Sequence, residues 1–144
     1  MPTSRRAGAT PLHPLHAILL AFPLALFSSG LASDIAYLKS AFVQWTNFSA
    51  WLMAGGCFFG GLVLAWAIVA VVFPGRAARS RALAYLVAVA VMFIAGLINS
   101  FQHSHDGWSS VGAFGLVLSI VSTLAALVAG FIGYSEQRVE GVVR

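Results

Sequence analysis

The sequence predicts an all-α integral membrane protein, a four-helix bundle that forms a single domain over residues 1–144. Two observations predict this fold class. Of the 144 residues, 60% are hydrophobic and only 8% are charged, whereas about a quarter of the residues in a soluble domain are charged. Four apolar stretches also reach the length of about 20 residues that a helix needs to cross a bilayer core. These stretches are 15–36, 50–73, 82–101 and 111–133.

The residues between the stretches separate one predicted helix from the next. Asp34 and Lys39 mark the end of the first stretch, and Pro74 with Gly75 ends the second because proline cannot continue a helix. The polar run 103–107 separates the third stretch from the fourth. Backbone amides in hydrocarbon must bond within their own segment, and the alternating pattern of barrel strands is absent, so helices are favoured over strands.

Lysine and arginine predict the orientation. Seven of these residues lie in the two tails and the central loop, whereas Lys39 alone lies on the other side. This asymmetry predicts a multi-pass protein with both termini in the cytoplasm. A cleaved signal peptide is the alternative for the first stretch, which follows Arg5 and Arg6, but the apolar run is longer than a usual signal core.

Composition also limits the function classes. The net charge of +4 includes no basic run that could follow a phosphate backbone, so a nucleic-acid partner is not predicted. The single cysteine, Cys57, excludes an internal disulfide and a structural site of paired thiolates. No phosphate loop or nucleotide fingerprint is present. We predict no catalytic residues, and we do not expect an enzyme.

Small residues predict how the helices pack. Helices in lipid associate by close backbone approach, which small side chains permit. A Gly-xxx-Gly element lies in the second stretch, and a heptad stripe of small residues runs along the fourth. The predicted packing residues are Gly56, Gly60, Gly112, Gly115, Ser119, Ser122, Ala126, Ala129 and Gly133. Their partners are either helices of the same chain or, in a homo-oligomer or larger complex, other membrane proteins.

Polar residues cluster at the predicted extracytoplasmic ends of the helices. Such groups are costly to leave unpaired near a bilayer, so we expect them to bond to one another. The predicted polar network consists of Asp34, Tyr37, Asn47, Asn99, His103, Asp106 and Trp108. It is interpreted either as ordinary solvation of helix ends or as a shallow site or docking face. Ser119, Ser122 and Thr123 are predicted instead to bond to their own helix backbone.

The four histidines form two pairs at opposite boundaries. His13 and His16, three residues apart, would share a helix face and hold a metal or an anionic headgroup, or simply lie at the interface. His103 and His105 with Asp106 are a second, equally weak metal candidate. A helix of about 20 residues rises about 30 Å, so no single metal or haem iron takes a ligand from each pair. No cofactor is predicted.

Several short motifs, taken together, resemble a known family. They are Pro-Leu-His-Pro-Leu-His (11–16), Ser-Asp-Ile-Ala-Tyr (33–37), Gln-Trp-Thr-Asn-Phe (44–48), Trp-Leu-Met-Ala-Gly-Gly (51–56), Gly-Leu-Ile-Asn (96–99) and His-Ser-His-Asp-Gly-Trp (103–108). Over about residues 11–133 the chain resembles the bacterial four-helix membrane proteins of domain-of-unknown-function family 2231 (DUF2231). The resemblance implies an inner-membrane protein without an assigned activity. Some members carry two further histidines, where this sequence has Ala21 and the run 81–83.

The sequence therefore predicts an accessory or scaffold component of a membrane assembly. It would act through helix packing and through the polar network at its outer ends. One alternative is a haem- or metal-binding redox subunit that uses either histidine pair. A second alternative is a channel or carrier for small solutes, which would need an oligomeric pore because no ionisable residue lies in the middle of a span.

Overall fold

The computed structural model describes residues 13–73, 79–105 and 111–135. These residues form four helices: α1 (Pro14–Ser40), α2 (Val43–Val72), α3 (Arg79–His103) and α4 (Ala113–Tyr134). Each helix is long and apolar enough to cross a membrane. The described part of the chain contains no strand, and the predicted all-α class and four-helix architecture are confirmed.

The first two helices extend well beyond the apolar stretches that predicted them. α1 continues to Ser40 rather than 36, and α2 begins at Val43 rather than 50. The polar residues in this region end the apolar pattern without ending the helices. The break falls at Ala41, which adopts the left-handed conformation (φ 54°) and donates its amide to the Tyr37 carbonyl. Asp34 consequently lies inside α1, more than a turn from its end.

The helices are arranged in a ring in which each contacts the next along the chain and α4 contacts α1. Adjacent helices are antiparallel. Between α1 and α4, for example, Asp34 meets Ser119 near one end of the bundle and Ala17 meets Tyr134 near the other. This is the up-down-up-down arrangement of a four-helix bundle with short loops.

Phe27 of α1 occupies the centre of the bundle and is fully buried. Its ring lies against Gly56 of α2 and Gly96 of α3. A Cβ atom at these two positions would approach ring atoms to 2.8 Å and 2.5 Å respectively. Glycine is therefore required at both positions for the aromatic ring to fit between the helices.

The small residues that predicted packing mostly face other helices of this chain. Gly60 faces Met92 and Gly133 faces Leu20, so the partner of the Gly-xxx-Gly element of α2 lies in the same chain. The predicted packing residues of α4 that are buried are Gly115, Ser119, Ser122, Ala126, Ala129 and Gly133. Gly112 differs, because it is the exposed N-cap residue of α4 and, apart from its chain neighbours, no atom of the described residues lies within 4 Å of its Cβ position.

Large apolar side chains cover the outside of the bundle. On the outward faces of α3 and α4 these are Leu83, Val87, Val91, Ile94, Leu97, Ile98, Phe101, Phe114, Val117, Ile120, Val121, Leu124, Leu127, Val128 and Phe131. A surface of this kind matches the hydrocarbon of a bilayer in chemistry. Most of the buried polar groups lie towards one end of the bundle, and the buried His16 lies towards the other.

Candidate functional site

One group of buried polar side chains joins all four helices. We name it the Asp34 cluster; it consists of Asp34 (α1), Ser49 (α2), Asn99 and His103 (α3) and Ser119 (α4). Each of these residues is at most 7% exposed. Asn99 and His103 are four residues apart and therefore lie on one face of α3. The antiparallel order of the helices brings the other three side chains to the same level.

The Asp34 and His103 side chains form a direct contact at the centre of this cluster. His103 Nε2 lies 2.9 Å from Asp34 Oδ1, and both side chains are 0% exposed. His103 Nδ1 lies 2.9 Å from the Asn99 carbonyl oxygen. Because a carbonyl oxygen only accepts hydrogen bonds, Nδ1 must carry a hydrogen. Nε2 and Asp34 Oδ1 also form a hydrogen bond, so a second hydrogen lies between these two atoms.

The two serines indicate where that proton lies. The Ser49 hydroxyl donates to the Gly30 carbonyl at 3.3 Å and lies 3.2 Å from His103 Nε2. A hydroxyl has only one hydrogen, so Ser49 accepts from Nε2–H while donating to Gly30. Ser119 donates to Asp34 Oδ2. The Ser49 bonds therefore place the proton on Nε2, so that His103 is an imidazolium beside the Asp34 carboxylate and the two form a buried ion pair. The Ser119 bond is compatible with this assignment.

Asn99 completes the cluster but is itself incompletely bonded. Its amide nitrogen donates to Ser119 Oγ at 2.7 Å and contacts Met53 Sδ at 3.5 Å. Its side-chain oxygen is buried and has no hydrogen-bond partner in the part of the chain that the structure describes. An unpaired buried acceptor is destabilising, whereas Asp34 and His103 are each bonded on more than one side.

The Asp34 cluster contains serine, histidine and aspartate but not in the arrangement of a serine hydrolase. A catalytic triad places the serine on one imidazole nitrogen and the carboxylate on the other. Here Ser49 and Asp34 share Nε2, and Nδ1 is bonded to a backbone carbonyl. The geometry instead joins four helices through charged and neutral hydrogen bonds.

The residues of the predicted polar network are placed in different environments. Asp34, Asn99 and His103 lie inside the bundle, so they do not form a surface. Tyr37 is buried one turn after Asp34, whereas Asn47 is exposed near the start of α2. Asp106 and Trp108 lie outside the residues that the structure describes.

The sequence predicted that Ser119, Ser122 and Thr123 of α4 bond to their own helix backbone. This prediction is correct for only one of the three. Ser122 bonds to the Ser119 carbonyl of its own helix, as predicted. The prediction is wrong for Ser119, which reaches Asp34, and for Thr123, which donates to the Phe27 carbonyl of α1 at 3.0 Å. Ser49 was also missed as a partner of His103. The heptad stripe signals that Ser119 faces inward, but not that α1 is the helix it faces.

A second group of side chains, the His16 cluster, lies at the opposite level of the bundle. It consists of His16 (α1), Trp66 (α2) and Tyr85 (α3). His16 is 2% exposed, and its Nε2 lies 2.8 Å from the Tyr85 hydroxyl. Its ring packs 5.1 Å from the Trp66 ring and 5.6 Å from the Tyr85 ring, measured between centroids. Among the described residues, no hydrogen-bond partner lies near His16 Nδ1.

The remaining histidines are exposed and lie at opposite ends of the bundle. His13 caps the start of α1, where its Nδ1 accepts the Leu15 amide at 3.3 Å and its ring lies 5.6 Å from the Trp66 ring. His105 bonds through Nδ1 to the Gln102 carbonyl at 3.1 Å. His103 and His105, which were predicted as one metal site, thus differ sharply in burial. Within the described residues, no group of three or more His, Cys, Asp or Glu side chains could hold a metal.

The fold and the two buried clusters define a multi-pass integral membrane protein built as a closed four-helix bundle. Comparison with family models gives a match over residues 12–143 to the family described as predicted membrane protein (DUF2231). The chain belongs to this family, which confirms the resemblance seen in the sequence motifs. Neither the curated proteins nor the solved structures contain a match.

Proposed function

We propose that this protein is an accessory or scaffold component of a larger membrane assembly and acts by packing α1 against another membrane helix. In this proposal the bundle lies in a bacterial inner membrane, with both termini in the cytoplasm as the lysine and arginine distribution predicts. The partner is either a second copy of the chain or a different membrane protein.

The observation that carries this proposal is the outward face of α1. Its middle positions are small and exposed: Ala21, Ala25, Ser29 and Ala32. Their spacing of three or four residues aligns them along one side of the helix. The outward positions at the same levels of α4 include Val117, Leu124 and Phe131, which are 54%, 56% and 78% exposed.

Small residues matter here because apolar helices gain little from leaving lipid for one another. Helices in a bilayer associate through van der Waals packing and hydrogen bonds, which require close approach of their backbones. The inward-facing small residues of α2 and α4 are already used within the bundle, as Gly56 against Phe27 and Gly133 against Leu20 show. The middle of α1 is left as a place where a neighbouring helix could approach closely.

The Asp34 cluster has a supporting part in this proposal. It bonds α1 to the other three helices through Asp34 itself and through the Gly30 carbonyl. These two residues flank Ala32 in the sequence. The cluster therefore fixes the rotation of α1 and, with it, the direction in which the small residues face.

The experiment compares leucine substitutions on two outward faces. The double variant Ala25→Leu with Ser29→Leu fills the middle of the α1 face. Ala65→Leu, at an exposed alanine of α2, is the matched control. We measure the size of the complex extracted from membranes in mild detergent, by native electrophoresis and by crosslinking with mass spectrometry.

We expect the α1 variant to release the chain from its complex while the Ala65→Leu variant keeps the size of the parent. Circular dichroism of the purified proteins checks that the helices of both variants are intact. If the folded α1 variant keeps its full complex size, or if the parent is itself a single chain in membranes, the proposal is wrong.

A further inference from the structure

The structure separates the two histidine pairs that the sequence offered as metal ligands. Both ring nitrogens of His103 are hydrogen-bonded inside the Asp34 cluster. At the other end of the bundle, one nitrogen of the buried His16 has no partner among the described residues. A metal ion needs an imidazole nitrogen with an available lone pair. The start of α1 meets this condition better than the end of α3.

His16 is oriented in the way that metal-binding histidines usually are. Such a histidine binds the metal through one ring nitrogen and donates its other N–H to a nearby oxygen, which fixes the tautomer. Nε2 of His16 lies 2.8 Å from the Tyr85 hydroxyl oxygen. When Nε2–H donates to that oxygen, the lone pair is on Nδ1, which is the atom without a partner. Trp66 packs against the ring and limits its rotation.

His13 supplies a second imidazole on the same side of α1. The two histidines are three residues apart, so their side chains are neighbours on the helix surface, and both rings contact Trp66. His13 is exposed, so an ion can reach its ring from solvent. Its hydrogen bond to the Leu15 amide is long, at 3.3 Å. Losing this bond costs little free energy compared with what a bond to a metal ion contributes.

We propose that His13 and His16 bind a divalent transition-metal cation, such as Zn²⁺ or Cu²⁺, at the start of α1. His16 binds through Nδ1, and His13 through a ring nitrogen that is released from the cap. Imidazole ligands suit Zn²⁺ and Cu²⁺, and Cu²⁺ binds more tightly of the two. The described residues offer no third His, Cys, Asp or Glu beside this pair. In this proposal water fills the remaining coordination positions. This site is independent of the packing surface on α1.

The test uses the full chain without a histidine tag, purified in mild detergent and stripped of metal with a chelator. Cu²⁺ and Zn²⁺ are titrated by calorimetry, and the Cu²⁺ complex is examined by electron paramagnetic resonance. We expect one ion per chain, Cu²⁺ bound more tightly than Zn²⁺, and a hyperfine pattern from two nitrogen ligands. His13→Ala and His16→Gln should each weaken binding by about tenfold or more.

His105→Ala is the control, because it removes an exposed histidine at the other end of the bundle and should leave binding unchanged. His13→Ala decides the test if His16→Gln fails to fold, since His13 is exposed and its loss leaves the core intact. Absence of stoichiometric binding overturns the proposal. So does binding that survives His13→Ala, or binding that is lost in His105→Ala.

Discussion

The two buried polar clusters differ in how many helices their hydrogen bonds join, although each leaves one buried polar atom without a partner among the described residues. In the Asp34 cluster a carboxylate and an imidazole face each other at 2.9 Å, and every helix contributes a side chain. In the His16 cluster three aromatic rings pack together, one hydrogen bond joins α1 to α3, and His16 Nδ1 has no partner among the described residues. The first arrangement bonds all four helices together, whereas the second bonds only two and leaves an imidazole nitrogen unpaired.

The largest expected effect comes from removing one member of the ion pair. Asp34→Ala leaves a buried imidazolium without its counter-charge, and breaking a buried pair in this way costs about 3–5 kcal/mol. Replacing both members, as Asp34→Leu with His103→Leu, should cost clearly less than the single change because no buried charge remains. Unfolding by a denaturing detergent, followed by far-ultraviolet circular dichroism, measures both.

Comparing the single and double variants also tests whether Asp34 and His103 are charged. If the single change costs less than about 1 kcal/mol, the pair is not a buried ion pair of the kind described. If the double variant is less stable than the single variant, apolar side chains cannot replace the pair. The stabilising effect of the cluster would then come from its hydrogen bonds and not from its charges.

The sequence was sufficient to predict the four helices, and every predicted packing residue except Gly112 is buried, but no small residue of α1 or α3, such as Gly30 or Gly96, was predicted. Length and hydropathy fix a transmembrane helix because the bilayer thickness is known, and small residues at heptad spacing mark a close contact. Helix ends were less predictable. Gln44 and Asn47 interrupt the apolar pattern without interrupting the helix, so the prediction began α2 seven residues too late.

The Asp34 cluster could be predicted only in part. Asp34, Asn99 and His103 stand out because polar side chains are rare in such a chain, but Ser119 looks like any other small residue of a packing stripe. Its bond to Asp34 depends on the pairing of α1 with α4. That pairing is a property of the ring of helices and has no local signal in the sequence.

A second prediction compares two buried serines of α4. Ser119→Ala removes a donor to the Asp34 carboxylate and also the acceptor of the Asn99 amide. Hydrogen bonds to charged groups contribute about 1.5–3 kcal/mol, so we expect a loss of that size. Ser122→Ala is the matched control, because Ser122 bonds only to its own helix backbone and such bonds do not stabilise a helix. Equal losses in the two variants would show that the Asp34 cluster adds nothing beyond burial.

The smallest expected effects belong to the His16 cluster. Tyr85→Phe removes the hydroxyl that bonds His16 Nε2 and leaves the buried imidazole with no partner among the described residues. Side-chain hydrogen bonds between membrane helices average about 0.6 kcal/mol and reach about 1.7. We expect a loss within this range, measured by the same unfolding experiment.

Replacing both partners, as His16→Phe with Tyr85→Phe, should restore most of that small loss. The new ring would pack against Trp66, and no polar atom would remain unbonded, an exchange that is often nearly neutral. If the double variant is instead several kcal/mol less stable, the His16 cluster holds the bundle together as the Asp34 cluster does, and the contrast between them fails. If it is as stable as the parent, the bundle does not depend on the His16 imidazole for its stability. That result would be compatible with the metal site proposed for His16.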